Sequence, residues 1–110
     1  MSEHTIPATD ADFDELVLKS AKPVLVDFWG VHCGFCRPLA VQLELLGQST
    51  PEITVVKVDV AEAPETAAKY DVFALPTMLL FIGGEVVDTV TVRKHDKLRE
   101  AVGKHVALAS

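Results

Sequence analysis

Cysteine is scarce. The 110 residues contain two, Cys33 and Cys36. Two cysteines cannot make a disulfide scaffold, and a loop this short constrains the unfolded chain little, so stability is a poor reason for the pair. Long apolar runs are missing too. None approaches the roughly 18–20 residues that cross a bilayer, and the longest, around Leu79–Ile82, is strand-sized and stops at Gly83-Gly84. Basic charge is in deficit, 10 Lys and Arg against 16 Asp and Glu, for a net charge of −6. That argues against a nucleic-acid binder, whose phosphate contacts need a clustered basic face. Met1-Ser2-Glu3-His4 has no basic stretch leading into an apolar core, so no signal peptide is expected and the default compartment is a reducing cytosol. There is no repeat, linker, low-complexity segment or Gly-rich nucleotide loop. What is present is a globular composition, 49% hydrophobic and 24% charged, which excludes wholesale disorder. The length suits one domain, residues 1–110, burying roughly 60–70% of its unfolded surface.

Residues 9–20 read as a first helix, with Thr9 as N-cap, Asp12 three residues on, and Phe13, Leu16 and Val17 at helical spacing. Val24-Leu25-Val26-Asp27-Phe28-Trp29 is a near-continuous apolar run, the mark of a strand covered on both faces. Alternation puts Leu25, Asp27 and Trp29 on one face and Val24, Val26 and Phe28 on the other. Residues 34–47 read as a second helix stopped by Gly47, with Pro38 one turn inside and a kink or missing bond expected there. Ile53–Val60 is a β-branched strand carrying Lys57 and Asp59 opposite Val56 and Val58. A short helix is predicted at Pro64–Tyr70, strands at Thr77–Ile82 and Glu85–Val92 joined at Gly83-Gly84, and a last amphipathic helix at Asp96–Ala109. This order is a βαβ unit followed by an antiparallel hairpin and a capping helix. It implies an α/β fold with a central mixed β-sheet flanked by helices on both faces.

Cys33-Gly34-Phe35-Cys36 falls where a buried strand hands over to a helix. Cys33 is expected at or beside the N-cap, where unpaired N–H groups and the positive dipole end stabilise a thiolate. The dipole effect is about 0.3–2 kcal/mol, and roughly 1.4 kcal/mol is one pKa unit, so Cys33 is expected to be partly ionised near neutral pH and nucleophilic. Cys36, one turn further in, would be buried and near enough to close a disulfide and to resolve a mixed one. Three duller readings compete. Zinc needs two further ligands, but no Cys remains and His4, His32, His95 and His105 show no paired spacing. Inert buried cysteines are common singly but not as a pair at such a turn. A purely structural disulfide gains little from so short a loop.

Val24 to Arg37 resembles the active-site stretch of the thioredoxin family. Lys57-Val58-Asp59-Val60 resembles that family's third strand, Tyr70-Asp71-Val72-Phe73-Ala74-Leu75-Pro76-Thr77 its cis-proline segment, and Phe81-Ile82-Gly83-Gly84-Glu85 its hairpin. The resemblance runs from about Asp10 to the last helix and implies the thioredoxin fold. It implies Cys33 as attacking thiol and Cys36 as resolving thiol, a redox-active disulfide between them, and Pro76 in cis presenting the Leu75 backbone to an extended substrate. Without the resemblance, Pro76 reads as a trans proline opening a strand. Asp27 is implied as a buried carboxylate that exchanges a proton with Cys36; its plainer reading is a hydrogen-bonded structural Asp. Lys57 either reaches Asp27 or is a solvated strand lysine. Trp29 packs on the active-site loop or is simply core. His32 either favours the Cys33 thiolate when charged or is uncoupled. With Gly34, Phe35, Leu75 and Pro76, Trp29 and His32 make up the implied substrate-facing rim.

The chain departs from the family pattern at that rim. His32 stands where Trp is usual, Phe35 where Pro is usual, Val41 where a helix proline is usual, and Thr91 or Val92 where the substrate groove has Gly. Phe35 offers an aromatic face and removes a rigid proline, so the pair is expected to be less reducing than is usual in the family. About 30 mV would correspond to 1.4 kcal/mol for this two-electron couple. The implied activity is protein disulfide reduction with no cofactor of its own and no metal. Electrons would come from an NADPH-dependent flavoprotein, a thioredoxin reductase, and pass to disulfide-containing proteins. The protein would act as a cytoplasmic monomer with no membrane or nucleic-acid partner. Alternatives are a thiol–disulfide oxidase or isomerase, suggested by Phe35 and His32, and a non-catalytic module binding a partner through Trp29, Phe35, Leu75 and Pro76.

Overall fold

A computed structural model describes residues 3–109. Its strands are β1 (Ile6–Ala8), β2 (Val24–Trp29), β3 (Thr54–Asp59), β4 (Thr77–Ile82) and β5 (Glu85–Val90). They form one mixed sheet in the order β1-β3-β2-β4-β5. β3 runs parallel to β1 and β2, and β4 antiparallel to β2 and β5. The helices are α1 (Cys36–Ser49), α2 (Pro64–Lys69) and α3 (His95–Gly103). A π-helical segment, Asp14–Leu18, precedes β2.

The two faces of β2 divide as alternation requires. Val24, Val26 and Phe28 join Val56 and Val58 in a core covered by Phe13, Val17 and Ala63. Leu25 joins Leu39, Leu43 and Leu46 of α1 and Leu98 and Val102 of α3 on the opposite face. Asp27 therefore lies on the face that α1 covers. No helix among the described residues is long and apolar enough to cross a membrane.

Several elements differ from the sequence expectation. β1 was not anticipated: three residues with a central Pro7 give no periodic signal, and a proline is tolerated because the strand is at the sheet edge. The helix expected over 9–20 is a turn followed by the π-helical segment. Asp12 reaches back to the Thr9 amide at 2.6 Å, and Lys19 N–H bonds the Asp14 carbonyl five residues earlier. β5 ends at Val90, not Val92. The last helix ends at Gly103, not Ala109, because the chain turns back. Val106 and Leu108 pack on the core, and the Ala109 amide donates to Glu52 at 2.8 Å. Gly83 and Gly84, at φ 60° and 82°, make the tight hairpin link.

α1 starts two residues later than expected, which changes the meaning of Pro38. It is the third helical residue, where an N–H has no intrahelical partner anyway, so it costs no helical bond. Gly47 does not stop the helix, which continues to Ser49. Its lack of a side chain admits the N-terminal segment, because a Cβ there would collide with the His4 backbone carbonyl. The same segment is latched by Glu44, which accepts the amides of Glu3 and His4 at 2.8 and 2.7 Å. Gly47→Ala gains helix propensity but overpacks this contact. We expect a net loss of about 1–2 kcal/mol by urea unfolding; a variant at least as stable as wild type would show that the segment yields freely.

Candidate active site

The central strand β2 delivers Trp29 and Gly30 to a turn that α1 closes. The Cys33 amide donates to the Gly30 carbonyl at 3.1 Å and the Cys36 amide to the Cys33 carbonyl at 3.2 Å. Phe35 is the N-cap, so Cys33 stands two residues before it, slightly outside the position expected. The reason is that Cys33-Gly34-Phe35 complete a turn before the helical ladder begins. Cys33 and Cys36 are joined by a disulfide with a Cα–Cα separation of 5.4 Å. Cys36 is buried at 4% exposure, whereas Cys33 is half-buried. The outer sulfur is thus the one a visitor meets first.

Asp27 is wholly buried, and neither carboxylate oxygen has a hydrogen-bond partner. Burial pushes its pKa up from 3.8 to about 7, against the opposing pull of the Lys57 charge. Lys57 is its register partner on β3. The ammonium is not in ion-pair contact with any carboxylate among the described residues. It lies 5.0 Å from the centroid of the Trp29 ring, a cation–π contact. A cleft of about 160 Å³ is lined by Trp29, Gly30, Cys36, Ala40 and Lys57, so the inner cysteine and the lysine share one solvent-sized space.

On the other side, the Leu75–Pro76 bond is cis. Leu75 packs against the turn closely enough that a Cβ on Gly30 would come within 2.9 Å of its Cδ1. Gly34 faces open space, with nothing within 4 Å of where its Cβ would be. Phe35 is exposed at 66%, and the Arg93 guanidinium lies 5.0 Å from its ring centroid.

A family model described as Thioredoxin matches residues 4–104 of this chain. The chain belongs to the thioredoxin family. It is 48% identical to a thioredoxin of Streptomyces clavuligerus over 86 residues, 78% of this chain and 80% of that one. It is 41% identical to a thioredoxin of Staphylococcus epidermidis over 103 residues, 92% of this chain and 97% of that one. A bifunctional thioredoxin reductase/thioredoxin of Mycobacterium leprae is 45% identical over 82% of this chain and 20% of its own length. The Cys33–Cys36 pair is therefore a thioredoxin-type redox pair, and the chain a dithiol–disulfide reductase of that type.

Of the residues singled out in the sequence, Cys33, Cys36, Gly34, Phe35, Trp29, Leu75 and Lys57 gather around the turn, and Asp27 sits in register beside Lys57. Lys57 is half-buried, with its ammonium over the Trp29 ring, and makes no ion pair with Asp27 among the described residues. His32 is exposed, and its side chain makes no hydrogen bond or ion pair among the described residues. Sequence reasoning missed one neighbour of the turn, Arg93. It also passed over Phe73, three residues before Pro76, which is 90% exposed. Arg93 gave no signal, since only the fold brings it to Phe35.

Proposed function

We propose that this reductase takes two electrons from an NADPH-dependent flavoprotein and delivers them to disulfide-containing proteins, as a cytoplasmic monomer. The observation that carries the proposal is a half-buried Cys33 bonded to a buried Cys36 at the mouth of α1. In the reduced form, Cys33 thiolate attacks one sulfur of the target disulfide. A Cys33–substrate bond forms, the target bond breaks, and one substrate thiolate leaves and takes up a proton. Cys36 then loses its proton and attacks the Cys33 sulfur. The Cys33–Cys36 bond forms and the second substrate thiol departs. The target gains two electrons and two protons, and the protein is left oxidised.

Asp27 takes the Cys36 proton. A carboxyl titrating at about 7 is balanced between accepting and returning it, and its unpartnered oxygens leave it available. Lys57 tunes that carboxyl. Leu75 and Pro76 offer backbone to an extended target, while Trp29, Gly34 and Phe35 border the approach. The fusion in Mycobacterium leprae, which joins reductase and thioredoxin in one chain, supports a reductase as donor. Mixing the purified protein with a thioredoxin reductase, NADPH and insulin tests the whole cycle. NADPH oxidation dependent on this protein, with insulin precipitating as its chains separate, is the expected result. No electron transfer, combined with activity on a scrambled-disulfide protein, would favour the isomerase, and neither activity would leave a binding module.

A further inference from the structure

The rim of the redox turn carries a cationic element that the exchange chemistry does not use. Arg93 lies between two clefts. One, of about 200 Å³, is lined by Phe35, Pro38, Leu39, Gln42, Arg93 and Lys94. The other, of about 150 Å³, includes Pro76, Thr77, Thr91 and Arg93. Arg93 therefore stands between Phe35, the residue just before Cys36, and the cleft that includes the cis Pro76, with its guanidinium on the Phe35 side. Both Arg93 and Lys94 are exposed, and among the described residues neither makes an ion pair or a side-chain hydrogen bond. A guanidinium stacked on a ring leaves its N–H fork unspent, and that fork matches a carboxylate. The chain as a whole carries −6, so a site for acidic segments here runs against the long-range field and has to be local.

We infer that Arg93, seated on Phe35 and assisted by Lys94, is a specificity-determining residue that selects target disulfides with a Glu or Asp side chain beside the attacked cysteine. This rests on the reductase reading above. Phe35 gives the target an apolar surface, and Arg93 at its edge supplies the charged contact. Replacement of the usual turn proline by Phe35 thus provides the ring on which the guanidinium sits beside the redox turn.

Three peptide disulfides test this, with the cysteine flanked on both sides by Glu, by Gln or by Lys. Each is reduced by the dithiol form of the protein and, in parallel, by dithiothreitol, which corrects for the peptides' own reactivity. The corrected Glu-to-Lys rate ratio is expected to be about fivefold for the wild type at low ionic strength and to approach one at high salt. It should fall below one in Arg93→Glu and be partly kept in Arg93→Lys. A role limited to covering Phe35 would leave that ratio unmoved. A wild-type ratio of one or less at low salt overturns the proposal without any variant, as does an Arg93→Glu protein with the wild-type ratio. Failure of the wild type to reduce the Gln peptide would instead sink the reductase reading itself.

Discussion

Cys33→Ser loses reduction of insulin disulfides by about three orders of magnitude or more, the scale on which removing a nucleophile costs an enzyme. A serine hydroxyl does not ionise near neutral pH and forms no exchangeable bond to sulfur, so nothing else in the turn replaces it. The loss does not come through folding. The native disulfide spans three residues and stabilises the oxidised chain by about 2 kcal/mol at most in the loop-entropy estimate, and circular dichroism of the variant checks that the sheet persists. Cys36→Ser is expected to behave differently. Cys33 still attacks, but the inner position can no longer displace the substrate, so a covalent adduct accumulates, visible by mass and released by dithiothreitol. The asymmetry follows from exposure, since Cys33 is reachable and Cys36 is at 4%. Turnover by Cys33→Ser, or an adduct held on Cys36, would reverse the assignment of the two sulfurs.

Asp27→Asn produces the other large effect, and its sign depends on pH. In the unfolded chain the carboxyl titrates near 3.8; in the fold, burial raises it to about 7. The folded state therefore binds the proton more tightly, and stability linked to this group is fully present below pH 3.8 and is lost as pH rises to about 7. The interval corresponds to about 4 kcal/mol. Asn does not titrate, so the variant is expected to match the wild type within about 1 kcal/mol at pH 4 and exceed it by about 3–4 kcal/mol at pH 8, by denaturant unfolding of the oxidised protein. The gain comes with slower resolution of the mixed disulfide, by about a hundredfold at pH 7 if the carboxylate is the base for Cys36. The inflection near pH 7 in that step should vanish with it. An Asn variant no more stable at pH 8 would mean that the carboxyl is solvated after all, and the proton-transfer role would fall with it.

Much of this was legible in the chain. Strand β2 announces itself by its apolar run, β3 by its β-branched residues and β4 and β5 by the Gly83-Gly84 link. The period of two puts Asp27 on one face with Leu25 and Trp29, although only the fold shows that α1 covers that face. The redox turn is equally plain, because its two sulfurs sit within one short segment. What stayed hidden depends on distance along the chain. β1 exists only because β3 offers it an edge. Gly47 resembles a helix stop until the His4 backbone is seen against it. Lys57 reads as either paired or solvated, since sequence cannot supply the ring of Trp29 under its ammonium. Arg93 is 58 positions from Phe35, and only the sheet order folds it back there.

The position of β2 has a consequence for the targets. It is flanked by β3 and β4, so the turn it feeds springs from the best-buttressed strand of the sheet. Docking thus demands little rearrangement from this chain, and the ordering cost falls on the visitor. Proteins whose cystines sit in frayed or loosely tethered stretches pay least to conform, and they should be served ahead of those that lock theirs inside a rigid core.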